Sequence, residues 1–141
     1  MKKTVTKIVL TALLCAPSLS LASSKSIMTI VTSPNPQTQL MSMVLSLKLM
    51  MKGAKIDILL CGPAGALAIK GSQEVKLKPK NVSAQMLLKK MIKKGVSVKI
   101  CPLYLPNKGE TKANLIKGVS VANPNKIADI ILEDNTKILT Y

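Results

Sequence analysis

The chain has 141 residues, which is the length of one domain with a sizeable core. Its formal net charge is +15, but all 21 basic residues are lysines, and Tyr104 and Tyr141 are its aromatic residues. The lack of arginine forks and stacking rings argues against specific nucleic-acid binding. The sequence also contains no histidine, which excludes Cys-His and Ser-His catalysis and histidine metal ligands.

Residues 1–22 have the pattern of a signal peptide. Three lysines near the start precede an apolar run at 8–16, and small residues at 20–22 form a cleavage site. The apolar run is too short to cross a membrane, since a span needs about 20 residues. We expect cleavage after Ala22 and a periplasmic or secreted protein; an uncleaved anchor is the alternative.

The mature chain is then a single domain at 23–141 with a charge of +12, because three lysines leave with the leader. Cys15 is lost, and the bulky Leu14 before it argues against a lipoprotein site. The later apolar runs are all shorter than a membrane span.

Cys61 and Cys101 remain, and two thiols without histidine do not make a zinc site. We expect no metal and no cofactor.

The first predicted elements are a strand and a helix. A short β-rich run at 27–32 predicts the strand, and Asn35 and Pro36 are suited to cap and begin a helix. Apolar residues then recur with helical spacing over 37–52. Gly53 follows as the glycine that commonly ends a helix.

The middle of the chain continues the alternation. A strand is predicted at 55–60, a short helix at 64–69 and a long polar loop at 71–82. Ser83 then caps an amphipathic helix that carries apolar residues on one face and lysines on the other, and Gly95 ends it.

The last third adds three strands. Residues 96–100 predict the third strand, which runs into Cys101-Pro102. A helix is expected around 111–117, a brief strand at 119–121, a helix from Pro124 to about Glu133, and a final strand at 136–141.

Five strands interleaved with helices predict a three-layer α/β/α domain with a mostly parallel five-stranded sheet, flavodoxin-like in general architecture. In such sheets, ligands bind beyond the carboxyl ends of the strands. The predicted binding rim therefore consists of Ser33, Asn35, Cys61, Gly62, Cys101, Pro102 and Asn123.

The order of these elements, together with several short motifs, resembles the DsrE/DsrF-like family of small α/β proteins associated with sulfur relay. The motifs are Lys-Gly-Ala-Lys at 52–55, Gly-Val-x-Val-x-x-Cys-Pro at 95–102, Leu-Ile-x-Gly-Val at 115–119 and Leu-Thr-Tyr at 139–141. The resemblance covers nearly the whole mature chain. It implies a homo-oligomer, with Cys101 in the position of the sulfur-carrying cysteine. Exported relatives have Cys-Pro-x-Cys here, whereas this chain has Tyr104 in place of the second thiol, which argues against a local dithiol.

Our leading hypothesis is that Cys101 accepts sulfane sulfur as a persulfide from a donor and passes it to an acceptor. Lys99 or Lys108 could favour its thiolate, and Tyr104 could donate a hydrogen bond to the sulfur or pack against the loop. Whether the chain is an enzyme stays open at this point.

Two alternatives remain. A non-catalytic oligomeric module would bind a small anion or a partner at the same rim. A thiol-disulfide redox protein would pair Cys61 with Cys101, which requires strands two and three to be neighbours. We expect strand one to lie between them, as in flavodoxin-like orders, and therefore two separate free thiols.

Overall fold

The computed structural model describes residues 25–141, which fold around one parallel sheet. The strands are β1 (Ser26–Val31), β2 (Lys55–Leu60), β3 (Ser97–Ile100), β4 (Val119–Val121) and β5 (Thr136–Thr140). The helices are α1 (Pro36–Met51), α2 (Ala84–Lys93), α3 (Tyr104–Lys108) and α4 (Pro124–Leu132), with 3₁₀ helices at Gly62–Ala68 and Lys112–Asn114. The five-stranded α/β architecture expected from the sequence is confirmed. The predicted signal peptide at 1–22 lies outside the described residues.

The order of strands in the sheet is β4-β3-β2-β1-β5. The expectation that strand one separates strands two and three is wrong, because β2 pairs directly with β3 from Asp57–Ser97 to Leu60–Ile100. The connections that lead to β2, β3 and β4 each place the next strand further from β1 on the same side. The connection after β4 places β5 on the other side of β1. Connections between parallel strands are almost always right-handed crossovers, and the spacing of apolar residues in a strand does not encode the direction of the step.

One face of the sheet, here called the covered face, packs against α1, α2, α3 and the first 3₁₀ helix. These segments lie together because right-handed crossovers in one direction place their helices on one side. Their contacts bury the main core, in which Val31, Met43, Leu60, Leu88 and Met91 are fully inaccessible to solvent.

The other face, here called the open face, has much less cover. The step from β4 to β5 reverses direction, so α4 packs on this side, alone among the helices that the structure describes. A small second core forms there from Met28, Leu59, Ala122 and Ile127. Ile138 on β5 stays 43% exposed.

The helix predicted around 111–117 is wrong. The structure has α3 earlier, at Tyr104–Lys108, and a short 3₁₀ helix at Lys112–Asn114. Pro106 is tolerated in α3 because it lies in the first turn, where a backbone N–H has no helical partner. Leu115 and Ile116 are extended and buried, and the Ile116 N–H donates to the Ala68 carbonyl at 2.8 Å. Tertiary hydrogen bonds therefore replace the helical ones.

Within residues 25–141, no helix is both long enough and apolar enough to cross a membrane.

Candidate functional site

The sheet has a switch point between β3 and β4. The chain leaves β3 towards α3 on the covered face, whereas it leaves β4 towards α4 on the open face. Connections that diverge in this way open a crevice at the carboxyl ends of the two strands, which is where α/β proteins of this kind bind ligands. Cys101 is the residue that directly follows β3, so it lies at this crevice.

Cys101 is held by backbone hydrogen bonds on both sides. Its N–H donates to the Leu60 carbonyl at 2.9 Å, and its carbonyl accepts from the Tyr104 N–H at 3.0 Å. The residue is only partly buried. Its thiol therefore has a defined position and access from outside, the two conditions that a reactive cysteine needs.

Two cavities meet at Cys101. The first, which we call the apolar cavity, has a volume of about 450 Å³ and lies between the sheet end and α4. Each lining residue is apolar or a cysteine: Leu59, Cys61, Cys101, Pro102, Leu103, Ala122, Pro124, Ile127, Ala128 and Ile131.

The second, which we call the polar cavity after Asn107 and Lys108 in its otherwise mostly apolar lining, has a volume of about 350 Å³ and lies beside α3. Tyr104, Asn107 and Lys108 line it together with Cys101. An ammonium group and an amide offer hydrogen-bond donors to an anion that approaches the thiol from this side. Lys108, named from the sequence as a candidate neighbour of Cys101, lies in this cavity.

Cys61 lies next to Cys101. It directly follows β2, and its N–H donates to the Val31 carbonyl at 2.9 Å. Its thiol lines the same cavity as Cys101, and its pKa is raised from 9.0 to about 11. Burial is the largest cause, followed by the charge of a Cys101 thiolate and the hydrogen bond to it. A thiol with this pKa keeps its proton near neutral pH.

Tyr104 packs against the first 3₁₀ helix. A Cβ atom added to Gly65 would lie 2.3 Å from the Tyr104 ring, so the ring occupies the space above that glycine. Burial and then the nearby Glu110 raise the pKa of Tyr104, which keeps the hydroxyl protonated. Of the two roles considered from the sequence, these contacts favour packing.

The remaining rim residues divide into two groups. Ser33, Asn35 and Asn123 serve the backbone: Asn35 accepts from the Gln37 and Thr38 N–H groups, and Asn123 caps α4 through Asn125. Pro102 lines the apolar cavity and Gly62 lines the polar one. Gly62 adopts a φ of +49°, a left-handed conformation that suits glycine at the turn after Cys61.

Lys99 lies away from the thiols, although the sequence suggested it as a neighbour of Cys101. Its ammonium group donates to Asp57 Oδ1 at 3.3 Å and to the Ser97 hydroxyl, both earlier along the strands. The Asp57 side chain is 5% exposed, and its Oδ2 atom has no hydrogen-bond partner. The Lys99 side chain is itself only 20% exposed.

Several lining residues were not identified from the sequence. Ile127 and Ile131 line the apolar cavity, and Asn107 lines the polar one. The sequence predicted a helix from Pro124 to about Glu133, but the packing of α4 beside Cys101 depends on the reversal of direction after β4. Among the described residues, no group of three or more His, Cys, Asp or Glu side chains could hold a metal ion.

Comparisons with known proteins establish the fold. No protein-family model matches the chain, and no curated protein matches it. The YchN protein from E. coli has a structure similar to 84% of this chain and 99% of its own, with a TM-score of 0.70 and 18% identity. MTH1491 from Methanobacterium thermoautotrophicum, a protein of unknown function, gives the same coverage with a TM-score of 0.63 and 12% identity. The chain therefore has the same fold as these two proteins.

Proposed function

We propose that this chain is a member of the DsrE/DsrF-like family that acts as a sulfur carrier, with Cys101 as the residue that bears the persulfide. The observation that carries the proposal is the position of Cys101: it lies at the switch point of the sheet, partly exposed, and lines two cavities. Cys61 lines the apolar cavity and not the polar one, so Cys101 is the thiol that both cavities reach.

The carrier cycle needs two sulfur transfers. The Cys101 thiolate attacks a sulfane sulfur of the donor, and the donor leaves with the electron pair of the broken sulfur–sulfur bond. An acceptor thiolate then attacks the outer sulfur of the persulfide and regenerates the Cys101 thiolate. Donor and acceptor are small sulfur species or partner proteins, and both reach Cys101 from the crevice.

The direct test is a loading experiment with inorganic polysulfide, followed by intact-mass measurement and peptide mapping. We expect one added sulfur on Cys101 in the Cys61→Ser variant, in which Cys101 is the only thiol of the crevice. Cys101→Ser and Cys101→Ala should gain no sulfur at this position while keeping the circular dichroism of the parent. Folded Cys61→Ser that gains no sulfur from polysulfide, thiosulfate or an organic persulfide would overturn the proposal.

Lys108 has a specific role in this proposal, which is to attract an anionic donor into the polar cavity. Lys108→Met should slow loading by polysulfide about two- to tenfold and weaken its dependence on ionic strength. Lys117→Met is the matched control, because Lys117 lines a different cavity. Equal loading rates for the two variants would remove Lys108 from the mechanism.

We also propose that residues 1–22 direct export, so that the carrier works in the periplasm or outside the cell. The lysines, apolar run and small residues of this segment support the proposal. Sequencing the amino terminus of protein recovered from an exporting cell should begin at Ser23. Recovery of the protein with Met1 intact would contradict it.

A homo-oligomer is part of the same proposal. Apolar side chains that stay exposed around α4 and the crevice support it, with Leu103 at 68% and Leu132 at 79% exposure. Light scattering should give a mass above that of one chain, and Leu132→Lys should lower it. A monomer at all concentrations would contradict this part and leave the chemistry of Cys101 unaffected.

A further inference from the structure

The backbone places Cys61 and Cys101 side by side. Leu60 pairs with Ile100 in the parallel ladder, and the two cysteines are the next residues along their strands. The Cys101 N–H donates to the Leu60 carbonyl at 2.9 Å, so the ladder continues to the cysteines. Neighbouring strands lie about 4.8 Å apart. This spacing falls within the range of about 4.4–6.8 Å between Cα atoms that a disulfide requires.

The side chains also meet. Both cysteines line the apolar cavity. The surrounding side chains of Leu59, Ala122 and Ile127 are apolar. Each thiol therefore has the other as its chemical neighbour in this cavity.

We propose that Cys61 is a resolving thiol, which attacks the inner sulfur of a Cys101 persulfide, closes a Cys61–Cys101 disulfide and releases the carried sulfur as sulfide. This inference rests on the proposed function, because it starts from sulfur already loaded on Cys101. It gives the carrier a second outcome when no acceptor arrives.

The step balances without an added oxidant or base. A bond forms between Cys61 Sγ and Cys101 Sγ, and the bond between Cys101 Sγ and the outer sulfur breaks. The outer sulfur leaves with the electron pair and takes the proton that Cys61 gives up, so that the product is hydrosulfide. The two cysteines are oxidised to a disulfide, and the sulfane sulfur is reduced by two electrons. An external dithiol restores both thiols by exchange.

The two cavities separate the groups that take part. Cys61 lines the apolar cavity and not the polar one, whereas Lys108 lines the polar cavity and not the apolar one. The apolar side holds the attacking sulfur close to its target, and the polar side has a cation that favours the departing anion. Sulfur loading and sulfide release therefore use the same polar cavity.

The test compares the fate of loaded sulfur in the full chain, with Cys15→Ser in every variant so that no other thiol takes part. Protein is loaded with inorganic polysulfide, desalted, and followed by intact mass and by sulfide release. The parent should lose the added sulfur, release one sulfide per chain and end two hydrogens lighter than the reduced protein. Cys61→Ser should keep the added sulfur at least about tenfold longer, because it lacks the intramolecular nucleophile.

Two further variants serve as a replacement and a control. Cys61→Ala removes the thiol without adding a hydroxyl, so it replaces Cys61→Ser if that variant does not fold. Lys117→Met alters a different cavity and keeps both thiols, so it should discharge at the rate of the parent. Peptide mapping of the discharged parent should recover a Cys61–Cys101 disulfide that dithiothreitol reduces.

The outcomes distinguish the two proposals. If the parent and Cys61→Ser both load Cys101 and lose sulfur at the same rate, the resolving role is wrong and the carrier role stands. If neither loads, the carrier role itself is wrong. If the discharged parent carries a persulfide on Cys61 instead of a disulfide, Cys61 is an acceptor of the outer sulfur and the resolving step is overturned.

Discussion

The covered face of the sheet packs against three helices and holds most of the fully buried side chains, whereas the open face is covered by α4 and holds both cysteines. Leu60 and Cys61 illustrate the difference, since they are adjacent in the chain but belong to opposite faces. Leu60 is inaccessible to solvent, and Cys61 is partly exposed and lines a cavity.

The two faces of the sheet contribute differently, because the covered face stabilises the domain and the open face carries both cysteines. Burial on the covered face supplies most of the apolar area that stabilises the domain. A carrier must instead present its sulfur to a partner, and a closely packed face would prevent this. The thin cover on the open face leaves a crevice at Cys101 without removing side chains from the main core.

The largest effect should come from truncation in the covered face. We expect Leu60→Ala to lower the free energy of unfolding by about 2–5 kcal/mol, because it leaves a cavity among fully buried side chains. Ile138→Ala on the open face should cost less than about 1 kcal/mol, since that side chain is 43% exposed. Urea denaturation measures both. Equal losses would show that the two faces do not differ in packing.

The ion pair on the open face gives a smaller effect. Lys99→Met removes the close cation from the buried Asp57 carboxylate and should lower the free energy of unfolding by about 1–3 kcal/mol. Lys55→Met is the control: its ammonium group lies 3.9 Å from Asp57 and its side chain is 60% exposed, so we expect little change. Similar urea midpoints for the two variants would contradict the assignment of Lys99 as the main partner.

A third variant tests the contact that holds Tyr104. Gly65→Ala should lower the free energy of unfolding by about 1–3 kcal/mol, because the new Cβ meets the Tyr104 ring at 2.3 Å. Tyr104→Ala removes the clash, so the cost of Gly65→Ala should fall in that background. A double-mutant cycle by urea denaturation measures the coupling, and strictly additive costs would contradict the packing role of Tyr104.

The smallest effect concerns pH. The folded pKa of Cys61 is raised from 9.0 to about 11, so the protonated thiol is the form that the fold favours. Its contribution to stability is therefore full below pH 9.0 and is lost as the pH rises through about 11. Alkylation of Cys61 should accelerate up to about pH 11 in the parent. In Cys101→Ser, the pH at which the alkylation rate of Cys61 is half-maximal should fall but stay above 9.0, because burial is the largest cause of the raised pKa. A half-maximal rate at pH 9.0 would contradict this.

Much of the fold was predictable because it depends on local patterns. Asn35 with Pro36 and Ser83 begin the helices that the structure has, since a capping side chain acts on the next three residues. The helix expected at 111–117 was wrong because Ile116 bonds to Ala68, a partner distant in sequence.

The sequence by itself determined the alternation of strands and helices, the parallel sheet and the position of Cys101 at the end of a strand. These follow from periodicity, caps and the requirement that parallel strands be joined by crossovers. Only the tertiary structure decided that β2 lies beside β3 and that Cys61 therefore meets Cys101. Strand order depends on the direction of each crossover, and direction is set by which packed helices fit together across the whole sheet. The sequence identified two cysteines at one rim, and the strand order makes them a pair.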